Sequence, residues 1–251
     1  MPFVTKPQFT ETNLIDGWPN FQSRNGQKPR YAVLHTTEGA GGMDLVNYMR
    51  GAEVSYHYVI GNDGQVYDLV DTDDASWSCL NANGYTINYV FGPSFSNWSA
   101  QQWFDNMGAR GIVTMAWLVA ADLVKYNIPP ITSFGPNYTP IPSGVVDHRY
   151  FTKVVQDGNT HGDVGDGWAT RVNGQPSPAE VFTSYLTTFY NSIKGGPVAQ
   201  PPTPGPHPVG PFADQLDLRW LCLGGQTVVE AIAEIRDHVL GTTDRTKTGA
   251  L

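Results

Sequence analysis

The alternation of apolar and polar positions divides the first 194 residues into strand-like and helix-like segments. Residues 30–36 form a short, apolar, β-rich run that stops at the turn-prone stretch from Glu38 to Gly42, which predicts a buried strand. Residues 43–50 suit a short helix. The runs from Ser55 to Gly61 and from Gln65 to Val70 flank Asn62-Asp63-Gly64, the pattern of a β-hairpin. Tyr85 to Gly92 and Val145 to Tyr150 predict two further strands. Ser99 and Gln102 have the spacing of a capping box. Beyond them Ile112, Met115, Ala116, Val119 and Leu123 recur at helical spacing, so a helix is expected to end near Asn127, ahead of Pro129 and Pro130. Ser177-Pro178-Ala179-Glu180 opens a last helix with Phe182, Tyr185, Leu186, Phe189 and Ile193 on its apolar face. The order strand, helix, hairpin, strand, helix, strand, helix predicts an α/β fold with a mixed central β-sheet flanked by helices.

The pattern changes after Lys194. Residues 195–211 contain seven prolines and four glycines, a composition that buries no core and makes an extended spacer. In 212–251, Val228, Ala231, Ile232, Ile235 and Val239 form a narrow apolar stripe behind a capping box at Thr227 and Glu230. The expected organisation is a catalytic domain over 1–194, a linker over 195–211 and a helical segment over 212–251. A segment that short needs a partner for its stripe. Pairing between chains, giving a homo-oligomer, is the first expectation, and docking on the catalytic domain or attachment to the cell wall are the alternatives.

Composition narrows the function classes. A formal net charge of −8 argues against nucleic-acid or anionic-membrane partners. No consecutive apolar run reaches membrane-spanning length, and the first residues lack the apolar centre of a signal peptide. No membrane insertion is therefore expected, and release is expected by a route other than the chain's own leader. Two cysteines, Cys79 and Cys222, are too few for a disulfide framework, and a bridge across the proline-rich stretch is not expected.

Candidate chemistry gathers at three places. His35 ends the first predicted strand, His148 lies in Val-Val-Asp-His-Arg-Tyr, and His161 and Asp163 share the glycine-rich loop Thr160 to Trp168. Each histidine taken alone is more simply read as structural. Two imidazoles and one carboxylate nevertheless make a sensible catalytic zinc set that leaves a position for water. Asp157 to Asp163 also has the look of the first half of an EF-hand loop, but His161 takes the fifth position and Trp168 the place of the closing glutamate, so calcium is not expected.

Four segments together resemble the type 2 N-acetylmuramoyl-L-alanine amidases, the family of phage amidase lysozymes and peptidoglycan recognition proteins. They are Val-Leu-His35-Thr-Thr-Glu-Gly, Val-Ser-Tyr56-His57-Tyr-Val-Ile-Gly-Asn-Asp-Gly, Val-Val-Asp-His148-Arg and Thr-His161-Gly-Asp163-Val-Gly. The resemblance spans Tyr31 to Trp168. It implies Zn²⁺ as cofactor, held by His35, His148 and Asp163, and peptidoglycan as substrate. It implies Tyr56 facing the attacking water and His161, as imidazolium, steadying the oxyanion. His57 is expected to serve a structural hydrogen bond, on the opposite side of its strand from Tyr56. Val164 stands where many members have proline, and Val90 where some have a catalytic glutamate. Tyr56 and His161 then remain as the acid–base pair.

The resemblance implies hydrolysis of the bond between N-acetylmuramic acid and L-alanine, as in an endolysin made in the host cytoplasm that acts on the wall after release. The tail resembles segments of actinobacteriophage lysis proteins. Two rivals are a non-catalytic peptidoglycan-binding module of the same fold and a zinc endopeptidase acting within the stem peptide. Trp77 and Trp168 are candidates for stacking on sugar, or else for the core.

Overall fold

The computed structural model describes residues 6–195. The expected linker beyond Gly195 and the helical segment over 212–251 lie outside the described residues. The elements in chain order are β1 (Thr10–Asn13), β2 (Phe21–Ser23), β3 (Tyr31–Thr36), α1 (Gly42–Gly51), β4 (Tyr58–Ile60), β5 (Gln65–Asp68), β6 (Asp74–Ser76), β7 (Thr86–Phe91), α2 (Ala100–Lys125), β8 (Thr132–Ser133), β9 (Gly144–Asp147) and α3 (Pro178–Ile193). A seven-stranded sheet runs in the order β1-β5-β4-β7-β3-β9-β8, and β2 pairs with β6 beside it. Strands β4, β7, β3, β9 and β8 are mutually parallel. β5 runs antiparallel to β4, with β1 parallel to β5. The mixed sheet flanked by helices is the expected architecture.

Local chemistry explains the elements. All six residues of β3 are buried, as a central parallel strand covered on both faces requires. The β4–β5 turn is closed by Asp63, whose carboxylate accepts from the Gln65 amide at 2.9 Å, while Gly64 takes the positive φ of 79°. Both capping boxes form: Ser99 with Gln102 and Ser177 with Glu180 exchange side-chain and backbone hydrogen bonds. Two expected strands stop well short of their apolar runs. The hairpin arm before β4 reaches strand geometry only at Tyr58, and β9 ends at Asp147, after which the chain coils through a turn of π-helix at Phe151–Val155.

Strand alternation sorts the sheet into two chemically different faces. Ala32, Leu34, Ile87, Tyr89, Phe91 and Val145 face α2 and α3, in a core that includes Trp103, Trp168 and Phe182. The indoles of Trp103 and Trp168 meet edge to face at 5.0 Å. Aromatic side chains of this size each bury roughly 150–250 Å² and dominate a core's energetics. Trp168 is therefore core, not a sugar platform. The other face carries Val33, Val90, Val146 and Val59, covered by α1 and by the loops around Cys79 and Phe151.

Helix α2 is kinked at Gly108, where φ is 63° and the backbone leaves helical geometry. Its length and apolar composition suffice to cross a membrane, although charged residues break every consecutive apolar run. It is the core helix of this fold: 67% of its most apolar stretch is buried, and its Trp117 packs edge to face on Phe189 of α3 at 5.2 Å.

The same helix carries a buried acid. Asp122 accepts a 2.6 Å hydrogen bond from the Tyr89 hydroxyl. Burial pushes its carboxyl up to about 6, against the lowering effect of Tyr89, Lys125 and Tyr58, with Asp71 adding to the rise. A raised folded-state value means that stability is full below the unfolded value and falls as pH climbs through about 6. Asp122→Asn keeps the acceptor for Tyr89 and removes the buried charge. We expect it to leave the melting temperature unchanged near pH 4 and to raise stability at pH 8 by about 1–2 kcal/mol, read by thermal melts at the two pH values.

Candidate metal centre

Alternation places the site on the face away from α2 and α3. In the register of β3 with β7 and β9, His35 lies level with Val90, Val33 with Asn88 and with Val146, and Leu34 with Asp147. His35, Asn88 and His148 thus share one face, and Asp147 turns to the other. Asp147 is committed there: its carboxylate accepts from the Tyr138 hydroxyl, the Gly135 amide and the Tyr150 amide.

The loop after β9 brings Asp163 onto this face. Its carboxylate approaches His35 Nδ1 at 3.3 Å and His148 Nδ1 at 3.4 Å. The two imidazole rings are 4.7 Å apart, and both histidines are buried. His161 stacks on His148 with ring centroids 4.3 Å apart, and its Nδ1 lies 3.8 Å from the same carboxylate. The His161 side chain is 54% exposed, so it forms the solvent-facing wall. Tyr56 closes the other side, its ring 4.9 Å from that of His35. His35, Tyr56, His148, His161 and Asp163 thus lie together at one site.

The glycines of the loop make this approach feasible. Gly165 adopts φ 83°, and a Cβ there would overlap the Ser96 carbonyl; one at Gly167 would overlap the Trp98 carbonyl. The acidic residues of the EF-hand-like stretch serve separate purposes. Asp163 faces the histidines, Asp166 pairs with Arg149 at 2.6 Å, and Asp157 accepts from Asn159.

Electrostatics single out Asp163 and the two buried histidines. Burial works against charge at Asp163, yet His148 and His35 hold its carboxyl far below the usual carboxylate range. Burial lowers both histidines, and Cys79 and Asp163 more than offset it, so both are raised. The cleft is thus built to hold positive charge. His161 goes the other way: burial and the neighbouring His148 lower its pKa, with Asp163 opposing them. Burial, reinforced by Asp163, raises the Tyr56 phenol, which stays protonated.

His57 is fixed elsewhere. Its Nδ1 accepts from the Asn88 amide at 2.9 Å, so Nε2 carries the proton and donates to the Asp74 carbonyl at 3.1 Å. Burial and Arg24 push its pKa down to about 3, and it stays neutral. Alternation does not separate it from Tyr56, because both precede the start of β4.

Three residues at the site were not singled out from the sequence. Asn88 Oδ1 lies 2.9 Å from His35 Nε2, and Asn159 Oδ1 lies 3.0 Å from His148 Nε2. Cys79 is a free, buried thiol 3.8 Å from His35 Nε2. Asn88 did leave a signal, a polar residue in an otherwise apolar buried strand. Asn159 and Cys79 left none.

The donors form two overlapping groups able to hold a metal ion, one of His35, Cys79 and His148 and one of His148, His161 and Asp163. The second group lies on the Asp163 side, where the buried His35 Nδ1 also faces the Asp163 carboxylate at 3.3 Å. Imidazole nitrogens and carboxylate oxygens converging this closely fit a bound cation. Gly165→Ala should displace the loop that carries Asp163. We expect at least about 2 kcal/mol of destabilisation by denaturant unfolding, together with weakened binding of Zn²⁺ in titration calorimetry.

The family model described as N-acetylmuramoyl-L-alanine amidase matches residues 25–165 of this chain. Among solved structures, the chain is similar to the Staphylococcus aureus hydrolase AmiA in complex with its ligand, with 16% identity, a TM-score of 0.54 and coverage of 78% of this chain and 90% of that one. Lesser likenesses are to the N-acetylmuramoyl-L-alanine amidase LysC from Clostridium intestinale (17% identity, TM-score 0.44, 64% and 91% covered) and to a mutant endolysin from Bacillus subtilis (14%, 0.42, 59% and 88%). At these identities the likeness to the staphylococcal hydrolase is one of fold. No curated protein sequence matches the chain.

Proposed function

Because this chain belongs to the N-acetylmuramoyl-L-alanine amidase family, we propose that it is a zinc-dependent hydrolase of the bond between the lactyl group of N-acetylmuramic acid and the L-alanine of the stem peptide. The family carries amidase activity and peptidoglycan as the substrate class. The observation that most directly supports a metal is the convergence of His35 Nδ1 and His148 Nδ1 on the Asp163 carboxylate, at 3.3 and 3.4 Å. We assign His35, His148 and Asp163 as the residues that hold the ion. Two imidazole nitrogens and one carboxylate oxygen suit zinc and leave a fourth position open. When bound, zinc supplies Lewis acidity to the scissile carbonyl and makes water a nucleophile near neutral pH.

The chain's own side chains do the rest. Tyr56, kept protonated, donates a hydrogen bond that orients the attacking water. His161, neutral before turnover, accepts the proton that water gives up. As imidazolium it then stands beside the developing oxyanion and passes the proton to the departing nitrogen. One water proton thus reaches the alanine nitrogen through His161, and the water oxygen ends in the lactyl carboxyl group, whose own proton, lost on ionisation, completes the ammonium of the freed alanine. We further propose that the enzyme acts in lysis of a bacterial host by a phage, a reading supported by the sequence resemblance and by the linker composition of 195–211.

Alanine at His35, His148 or Asp163 is expected to lower zinc content, measured by elemental analysis, and to abolish cleavage. Full activity of chelator-treated, metal-free protein would overturn the assignment. His161→Ala and Tyr56→Phe should retain zinc and fold while kcat falls by about 10²–10³. Loss of zinc in His161→Ala would instead make it a ligand. Product analysis on purified muropeptides separates the rivals: an amidase frees the amine of the first stem residue, an endopeptidase frees a later one, and a binding module frees none.

A further inference from the structure

The two metal-facing histidines each present one nitrogen to Asp163 and the other to an asparagine carbonyl. We propose that Asn88 and Asn159 are positioning residues that hold His35 and His148 as Nε2–H tautomers, so that ligation runs through both Nδ1 atoms on the Asp163 face and not through the Nε2 atoms on the Cys79 face. The inference rests on the zinc assignment above and adds which ring nitrogens face the ion and why.

The argument is one of donors and acceptors. Asn159 Nδ2 contacts the Cys79 carbonyl at 3.0 Å and an Asp157 carboxylate oxygen at 2.8 Å. Both of these only accept, so the amide nitrogen must face them and Oδ1 must face His148. His148 Nε2, 3.0 Å from that oxygen, then has to donate. Asn88 is fixed in the same way. Thr86 spends its hydroxyl proton on the Ala82 carbonyl at 3.0 Å, so it accepts from Asn88 Nδ2 at 3.1 Å. That turns Asn88 Oδ1 toward His35 Nε2 at 2.9 Å and toward the Cys79 thiol, which donates to it at 3.1 Å. With Nε2 committed as a donor, Nδ1 of each ring faces the Asp163 carboxylate, at 3.3 Å in His35 and 3.4 Å in His148, and is the nitrogen whose proton a metal ion would replace.

Cys79 joins the two supports. Its thiol donates to Asn88 and its carbonyl accepts from Asn159. The thiol is thereby occupied as a hydrogen-bond donor, and a metal on the Cys79 face would have to displace both asparagines. Asn88 and Asn159 are both buried, so water does not substitute for either. Partners of this kind on metal-ligating histidines typically govern affinity.

The test uses full-length protein loaded with zinc and labelled with ¹⁵N at histidine. Long-range ¹H–¹⁵N correlation spectra are expected to show Nδ1 as the metal-bound nitrogen of His35 and His148 and Nε2 as protonated. Ligation through Nε2 would overturn the proposal and place the ion on the Cys79 face, while leaving the zinc-amidase reading intact. Absence of stoichiometric zinc binding would sink that reading itself. Chelator competition adds a second readout. Asn88→Leu and Asn159→Leu should weaken zinc binding about 10- to 100-fold, whereas Asn88→Asp, which keeps the acceptor on His35, should recover most of the affinity. Folded leucine variants that bind zinc as tightly as the unmodified protein would also refute the proposal. Should they fail to fold, the spectra of the unmodified protein decide alone.

Discussion

A carboxylate held ionised against two buried imidazoles governs this molecule's site. Burial alone would neutralise Asp163 and both histidines. Their mutual arrangement reverses that, and every supporting feature serves the arrangement. Parallel pairing brings His35 and His148 to neighbouring strands at the same level. The glycines at 165 and 167 let the acidic loop close down on the sheet. The asparagines behind the rings use up the nitrogens that point inward. A binding centre of this sort needs a rigid floor, and the parallel strands supply it.

Much of the fold was legible because its signals are local. Capping boxes, the hairpin turn and the apolar stripes of α2 and α3 are each written within a dozen residues. The small elements were not legible. β1 and β2 carry mostly exposed residues, so their pairing leaves no alternating pattern to read. β8 is two residues long, shorter than any periodicity. Apolar runs also overstated strand length, since burial continues past the last sheet hydrogen bond into the π-helical turn after β9.

At the site, the residues suggested by family resemblance do converge, whereas of the residues behind them only Asn88 left a trace, as a polar position in a buried strand. His35 lies more than a hundred positions before His148 and Asp163, and nothing in that spacing encodes proximity. Asn159 meets His148 only because the loop from Asp157 to Asp163 doubles back over Cys79. The lowering of the His161 pKa was hidden as well, because it comes from burial and from His148, which stacks on it only in the folded chain.

Arg24 shows how the irregular half of the molecule stays ordered. Its buried guanidinium donates to the carbonyls of Thr72, Asn83, Gly84 and Thr86, four acceptors spread over fifteen residues that have little sheet of their own. A single planar cation thus stands in for a missing strand, satisfying backbone oxygens that would otherwise be buried bare. The length of that segment is therefore constrained by the reach of one side chain. Insertions between Thr72 and Thr86 should be accommodated only where they leave those four carbonyls converging on the same point, so variation among relatives of this chain would be confined to the turns between them.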